Sequence, residues 1–142
     1  MASNDVSASG LGKEDYEQLS DFRFQLRQFL RQSENICRSN GLTPLQYQLL
    51  LHLMGACGKD WLSIVELAER LQAKHHGVVA LIDRCEKLGL VERRTMQADK
   101  RKVAIHLLPR GLHLLNHIAL LHQQELHQLR VTIGSLSDSG VQ

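Results

Sequence analysis

The sequence predicts a mostly α-helical fold that carries one small β-hairpin. Hydrophobic residues recur at three- and four-residue spacings over most of the chain, which is the period of an amphipathic helix. From Val103 to Leu107 the period changes to two, because Val103, Ile105 and Leu107 are separated by single less hydrophobic residues. This alternation is typical of a half-buried strand. With 142 residues, the chain has the length of one domain.

The two ends of the chain differ from its middle in composition. Residues 1–12 and 135–142 are rich in Ser, Gly and Asp, and we predict that both tails are disordered. Between them we predict a single domain over residues 13–134. Its first helix covers residues 13–40 and ends before Gly41, since glycine readily adopts the positive φ of a helix stop.

Two further helices begin with recognisable capping sequences. Thr43 precedes Pro44, and Ser63 is followed three residues later by Glu66, as at helix N-termini. After the second of these helices, only residues 72–74 separate it from the next apolar, helical stretch. Two short helices joined by so tight a turn indicate a helix-turn-helix.

A hairpin and a long helix complete the predicted architecture. We expect residues 90–95 to pair with the alternating strand through the loop 96–100, which forms a wing and makes residues 43–108 a winged helix-turn-helix. The last helix, 109–134, keeps a heptad repeat of apolar residues for about three heptads. One short domain cannot cover this stripe together with that of the first helix. We therefore predict that 13–40 and 109–134 are dimerisation helices of a homodimer.

Composition excludes several classes of protein. No apolar run approaches the ~20 residues that span a bilayer, and residues 1–12 lack the features of a signal peptide. The cysteines Cys37, Cys57 and Cys85 are far apart, which favours reduced thiols in a cytoplasmic protein, with Cys57 and Cys85 buried. No nucleophile elbow, phosphate-binding glycine loop or HExxH motif occurs, so the sequence predicts neither an enzyme nor a bound cofactor.

Positive charge is concentrated in one part of the chain. From Lys74 to Arg110, nine basic residues face four acidic ones. This segment carries +5, although the whole chain carries only +2. Such a concentration suits a polyanion such as DNA, but a charged stretch can also be a solvated surface.

Five stretches occur in a characteristic order and spacing. They are 42–46 (LTPLQ), 66–71 (ELAERL), 81–93 (LIDRCEKLGLVER), 99–101 (DKR) and 109–111 (PRG). Together they resemble the MarR family of transcriptional regulators. The resemblance implies a dimer on a pseudo-palindromic operator, with the fourth helix in the major groove and the wing at the minor groove. It also implies a repressor that a small aromatic or apolar ligand releases. Residues 74–79 (KHHGVV) depart from the usual Ser and Thr, so the base preference does not carry over.

The resemblance gives candidate contacts with double-stranded DNA. In the fourth helix they are Lys74, His75, His76, Gly77 and Val79; in the wing they are Arg93, Arg94, Lys100, Arg101 and Lys102. The helix start is expected to meet base edges, and the wing to meet phosphates or a narrow minor groove. Asp99 is expected to order the hairpin turn. Arg101 either enters the groove or pairs with Asp83 to orient the wing.

Effector binding leaves more alternatives open. Phe22, Phe29 and His122 are candidates for lining a pocket where the long helices meet the DNA-binding part. His113 and His117 have the i, i+4 spacing of zinc ligands, but no cysteine or carboxylate close in sequence completes a site, and no metal is predicted. A redox- or metal-responsive regulator of the same fold remains an alternative. A winged-helix module for protein–protein contacts is another, against which the +5 segment argues.

Overall fold

The computed structural model describes residues 10–138 and contains five helices and three strands in that range. In chain order they are α1 (Lys13–Ser39), α2 (Pro44–Met54), β1 (Trp61–Ser63), α3 (Ile64–Leu71), α4 (His75–Lys87), β2 (Val91–Thr95), β3 (Val103–Leu107) and α5 (Pro109–Asp138). The predicted fold class, a mostly helical chain with winged helix-turn-helix and two long terminal helices, is therefore confirmed. None of the helices in the described range is long and apolar enough to cross a membrane.

The last helix is longer than we predicted. Helix α5 continues to Asp138, so residues 135–138 are helical and do not belong to a disordered tail. At the other end, the Gly12 amide donates a hydrogen bond to the Asp15 carboxylate (2.8 Å), which fixes the approach to α1. The predicted disorder of residues 1–9 and 139–142 falls outside the described residues.

The chain forms two compact units. The larger one is Glu34–Leu121, and the smaller one combines the chain up to Ser33 with the chain from His122 onward. Both boundaries fall inside a long helix. The larger unit therefore includes the end of α1 and the start of α5, which we had grouped with the dimerisation helices at 13–40 and 109–134.

The core of the larger unit is aliphatic. Most of its fully buried side chains come from α2, α3, α4, the sheet and the residue before β2: Leu49, Leu50, Leu53, Leu67, Val78, Ile82, Cys85, Leu90, Val91 and Ile105. Cys37 of α1 and Ile118 of α5 are fully buried as well. Both predicted capping boxes are present. The Gln46 amide donates to Thr43 Oγ1 (3.2 Å) and the Glu66 amide donates to Ser63 Oγ (3.1 Å). Each such cap stabilises its helix by about 1 kcal/mol.

The sheet has one more strand than the sequence predicted. Its order is β1-β3-β2, with all neighbours antiparallel. Leu62 of β1 lies opposite Ile105, while Val91 of β2 lies opposite Leu107. A strand of three residues is too short to show a period, which is why β1 was missed. Ala104, one of the less hydrophobic residues between the alternating positions of β3, is buried as well.

A single glycine allows α5 to start close to the wing. A Cβ atom on Gly111 would lie 2.2 Å from the carbonyl oxygen of Leu90. The same oxygen accepts a hydrogen bond from the Leu108 amide (2.9 Å). Only glycine fits at this approach, and it fixes the start of α5 against the residue that precedes β2.

Candidate nucleic-acid interface

The turn of the helix-turn-helix is built without glycine. Gln72, the C-cap residue of α3, adopts the left-handed conformation (φ 50°), and its side-chain amide donates to the Glu69 carbonyl oxygen (2.7 Å). Helix α4 then begins at His75, with Lys74 as its N-cap residue. Val78 is fully buried and anchors the first turn in the core. The residues before it therefore project away from the core.

The predicted contact residues at the start of α4 are at the surface. Lys74, His75, His76 and Gly77 are exposed, whereas Val79 is half-buried. The first turn of a helix leaves backbone N–H groups without partners inside the helix and is the positive end of its dipole. With Lys74 beside it, this end of α4 attracts an anion such as a phosphate.

Gly77 has no function in the packing of the protein itself. A Cβ atom at this position would meet nothing within 4 Å, and its φ is not positive. A glycine in a helix costs about 0.5–1 kcal/mol relative to alanine. Gly77 therefore leaves α4 without a side chain at this exposed position and lowers the stability of the helix.

The wing tip, defined here as Met96–Lys102, is a turn held by its own backbone. The Asp99 carboxylate accepts a hydrogen bond from the Arg101 amide (3.0 Å), and the Asp99 carbonyl oxygen accepts one from the Lys102 amide (3.0 Å). These contacts leave Lys100, Arg101 and Lys102 exposed. Among the ion pairs of the described residues, none includes these three cations.

The other two predicted wing contacts are engaged within the protein. Arg93 forms ion pairs with Asp83 and Glu86 of α4, and Arg94 pairs with Glu92 on its own strand. Asp83 therefore pairs with Arg93, and the alternative in which it pairs with Arg101 is wrong. The reason is register, because Arg93 extends from the strand that packs beside α4, whereas Arg101 is in the tip.

The helix start and the wing tip line a common groove. This groove has a volume of about 500 Å³. Its walls are formed by Trp61, Ser63, Ile64, Val65, Glu66, His75, Met96, Arg101, Lys102 and Val103. His75 of α4 and Arg101 of the tip thus border the same space, although 26 positions separate them in the sequence. The arrangement presents two exposed basic groups on one face of the larger unit.

Sequence reasoning missed a polar cluster at the edge of this groove. Lys59 donates to both carboxylate oxygens of Glu66 (2.8 and 2.7 Å), and its ammonium lies 4.0 Å above the Trp61 ring. The hydrogen bond from Lys59 is the main reason that the pKa of Glu66 is below its ordinary value. The sequence could not predict this contact, because Lys59 lies in a loop and Glu66 in α3, and the strand between them, β1, was not predicted either.

Two of the three effector candidates come together in the smaller unit. His122 is buried, its Nε2 lies 2.7 Å from Ser33 Oγ, and its ring centroid is 6.4 Å from that of Phe29. Phe22 is half-buried on α1, about two turns before Phe29. The hydroxyl group of Ser33 thus provides a hydrogen-bond partner for Nε2 of buried His122.

The cysteines differ from our expectation in one respect. Cys37 and Cys85 are buried, but Cys57, which we predicted to be buried, is exposed because it lies in the loop after α2. Burial raises the pKa of the Cys85 thiol to about 11. In the described part of the chain, no three His, Cys, Asp or Glu side chains are grouped to hold a metal ion, and this includes the surroundings of His113 and His117.

Known proteins share both the sequence pattern and the fold. The MarR family profile matches residues 40–102. A transcriptional regulatory protein for the hcr operon of Thauera aromatica is 27% identical over 112 residues, which are 78% of this chain and 66% of that protein. The HTH-type transcriptional regulator YsmB of Bacillus subtilis is 28% identical over 123 residues, which are 80% of this chain and 78% of YsmB.

Solved structures of MarR-family regulators have a similar fold. AbsC, a MarR family regulator from Streptomyces coelicolor, superposes with a TM-score of 0.75 at 21% identity, covering 90% of this chain and 88% of AbsC. A mutant of MepR from Staphylococcus aureus, bound to an oligodeoxyribonucleotide, gives 0.65 at 18% identity, covering 91% and 99%.

Fold and surface together define a winged helix-turn-helix protein of the DNA-binding type. The family match over its central region, the two relatives and the structural neighbours then agree on one group. The chain thus resembles MarR-family transcriptional regulators in the sequence of its central region and in its fold.

Proposed function

We propose that the protein is a homodimeric transcriptional repressor that binds a pseudo-palindromic DNA operator and is released from it by a small aromatic or apolar ligand. The observation that supports DNA binding best is the shared groove between α4 and the wing tip. It brings His75, at the exposed start of α4, and two exposed cations of the wing tip, Arg101 and Lys102, to the same space.

In this proposal the start of α4 enters the major groove and the tip follows the adjacent minor groove. Lys74, His75, His76 and Gly77 are the exposed residues of the helix start. Imidazole groups can donate to or accept from a base edge, whereas lysine and arginine at the tip neutralise phosphates. A structural neighbour, a mutant of MepR, is bound to an oligodeoxyribonucleotide, which supports DNA binding by a protein of this fold.

The dimer is supported by apolar side chains that the smaller unit leaves exposed. On α1 they include Leu19, Phe24 and Leu30, each more than half exposed, and on α5 they include Leu126 and Val131. Scattered exposed leucines are ordinary, but large apolar residues that repeat along two long helices favour burial against another surface. A second copy of the chain provides a matching surface through two-fold symmetry.

For the effector we propose a site in the smaller unit that includes Phe22, Phe29 and His122. The rings of Phe29 and His122 are neighbours, and the hydroxyl of Ser33 satisfies the imidazole. Aromatic side chains beside one buried polar group are typical of small-molecule sites.

Two measurements test the proposal. Analytical ultracentrifugation at micromolar protein should give twice the 16.1 kDa chain mass. Selection from random duplexes, followed by fluorescence anisotropy, should recover a pseudo-palindrome with half-sites about one helical turn apart. A monomer, or the absence of any preferred sequence at moderate salt, would contradict the proposal.

A further inference from the structure

Arg93 connects the wing to α4 through both its side chain and its backbone amide. Its Nη1 donates to Glu86 Oε1 (3.1 Å) and its Nη2 to Asp83 Oδ1, while its backbone amide donates to Glu86 Oε2 (3.1 Å). Nη2 also lies 3.5 Å from the Val79 carbonyl oxygen. These acceptors follow one another along a single face of α4. One residue of β2 is thus attached to about two turns of the helix that is proposed to read DNA.

The geometry of this contact requires an arginine. A guanidinium group is planar and places its donors in a fixed fork, which allows it to hold two carboxylates in one arrangement. The Arg93 side chain is 27% exposed, whereas those of Asp83 and Glu86 are 52% and 42% exposed. The charge-assisted hydrogen bonds are therefore partly screened by solvent, and their fork geometry matters more than their energy. Strand β2 is at the edge of the sheet, which leaves the Arg93 amide free to bind Glu86.

We propose that Arg93 is a positioning residue that sets the angle between the wing and α4, and that it does not itself contact DNA. The proposal rests on the proposed function, because the angle matters for the simultaneous contact of helix and tip with one duplex. The tip lies about five residues beyond Arg93, or about 17 Å at the rise of a strand. A tilt of about 10° at the base would then move the tip by about 3 Å, enough to break a contact.

Charge balance explains why Arg93 serves α4 and not DNA. Its two terminal nitrogens are occupied by Asp83 and Glu86, and its single positive charge offsets part of the negative charge of these two carboxylates. Arg94, the next residue, carries the same charge but pairs with Glu92 of its own strand. It is a matched control, since replacing either arginine removes one positive charge from β2, while only Arg93 contacts α4.

The first experiment needs no DNA. Trp61 is the only tryptophan of the chain, and it lines the groove together with the wing-tip residues Met96, Arg101 and Lys102. Its fluorescence therefore reports the position of the wing. We expect acrylamide to quench Trp61 at least twofold more efficiently in Arg93→Ala than in the wild type, with no change in Arg94→Ala. Equal quenching in all three proteins would overturn the proposal.

The second experiment measures operator affinity by anisotropy across a salt series. Arg93→Ala should bind at least tenfold more weakly with an unchanged slope of log K against log[salt], whereas a lost phosphate contact reduces that slope by about one. Arg93→Lys keeps the charge without the fork and should not restore affinity. A slope reduced by one in Arg93→Ala, or full rescue by lysine, would overturn the proposal.

Two precautions keep the result interpretable. Thermal melting must show that each variant is folded. If Arg93→Ala is not, Asp83→Asn/Glu86→Gln removes both negative charges from the α4 side, weakens the charge-assisted hydrogen bonds and should reproduce the increased quenching. Failure of this pair to do so would count against the proposal equally. If the wild type binds no DNA at all, the proposed function fails, and the quenching comparison still decides whether Arg93 positions the wing.

Discussion

The base and the tip of the wing contain the same basic residue types in different surroundings. At the base, Arg93 and Arg94 are paired with carboxylates of α4 and of β2. At the tip, Lys100, Arg101 and Lys102 are exposed and the turn is held by the Asp99 carboxylate and backbone. A cluster of cations in a sequence can thus contain two kinds of residue. Some hold the structure through ion pairs, and others remain available to a ligand.

The largest effect is expected at the base, from Gly111→Ala. The added Cβ would lie 2.2 Å from the Leu90 carbonyl oxygen, so either α5 or the chain before β2 must shift. We expect the free energy of unfolding to fall by about 1–3 kcal/mol and the Tm by about 5–10 °C. Calorimetry measures both. A Tm within 1 °C of the wild type would show that this approach is not tight in solution.

At the tip, Arg101→Ala should change DNA binding and leave folding unchanged. Its amide, not its side chain, holds the turn, so the Tm should stay within about 1 °C. Operator affinity should fall by about tenfold, and the salt slope should decrease by about one because one fewer counterion is displaced. Anisotropy titrations from low to moderate salt measure both. An unchanged slope with lower affinity would move Arg101 into the group of residues that hold the structure.

Gly77→Ala should change stability and DNA recognition in opposite directions. The new methyl group meets no protein atom, and alanine favours the helix by about 0.5–1 kcal/mol. We therefore expect the Tm to rise by about 2–4 °C, while affinity for the operator falls more than affinity for random DNA. Parallel melting and competition assays test this. Unchanged discrimination between the two DNAs would mean that the missing side chain at Gly77 has no part in recognition.

The smallest expected effect is the pH dependence of the free energy of unfolding that half-buried His52 causes. Burial, and then the neighbouring charge of Arg70, lower the pKa of His52 below its ordinary value. The unfolded chain thus takes up this proton more readily, and the free energy of unfolding should decrease as pH falls through about 6.5, the value for unfolded histidine. Urea unfolding between pH 8 and 5 measures it. His52→Gln should flatten part of this dependence, and an unaltered profile would contradict the assignment.

The fold could be predicted from the sequence largely because its local determinants are independent of one another. Caps at Thr43 and Ser63 and the alternation from Val103 onward each specify their own element. Strand β1 could not be predicted, since its three residues become a strand only by pairing with β3. For the same reason the sequence could not show that Asp83 pairs with Arg93, because residues i and i+10 meet only after β2 has docked on α4.

The three thiols provide a chemical handle that needs no mutagenesis. Cys37 and Cys85 are fully buried, and the raised pKa of Cys85 keeps it protonated near neutrality, whereas Cys57 is exposed. A maleimide dye at pH 7 should therefore modify Cys57 selectively in the native protein. In the proposed dimer each protomer would then carry one fluorophore at a defined loop, so energy transfer between differently labelled copies could follow subunit exchange in real time.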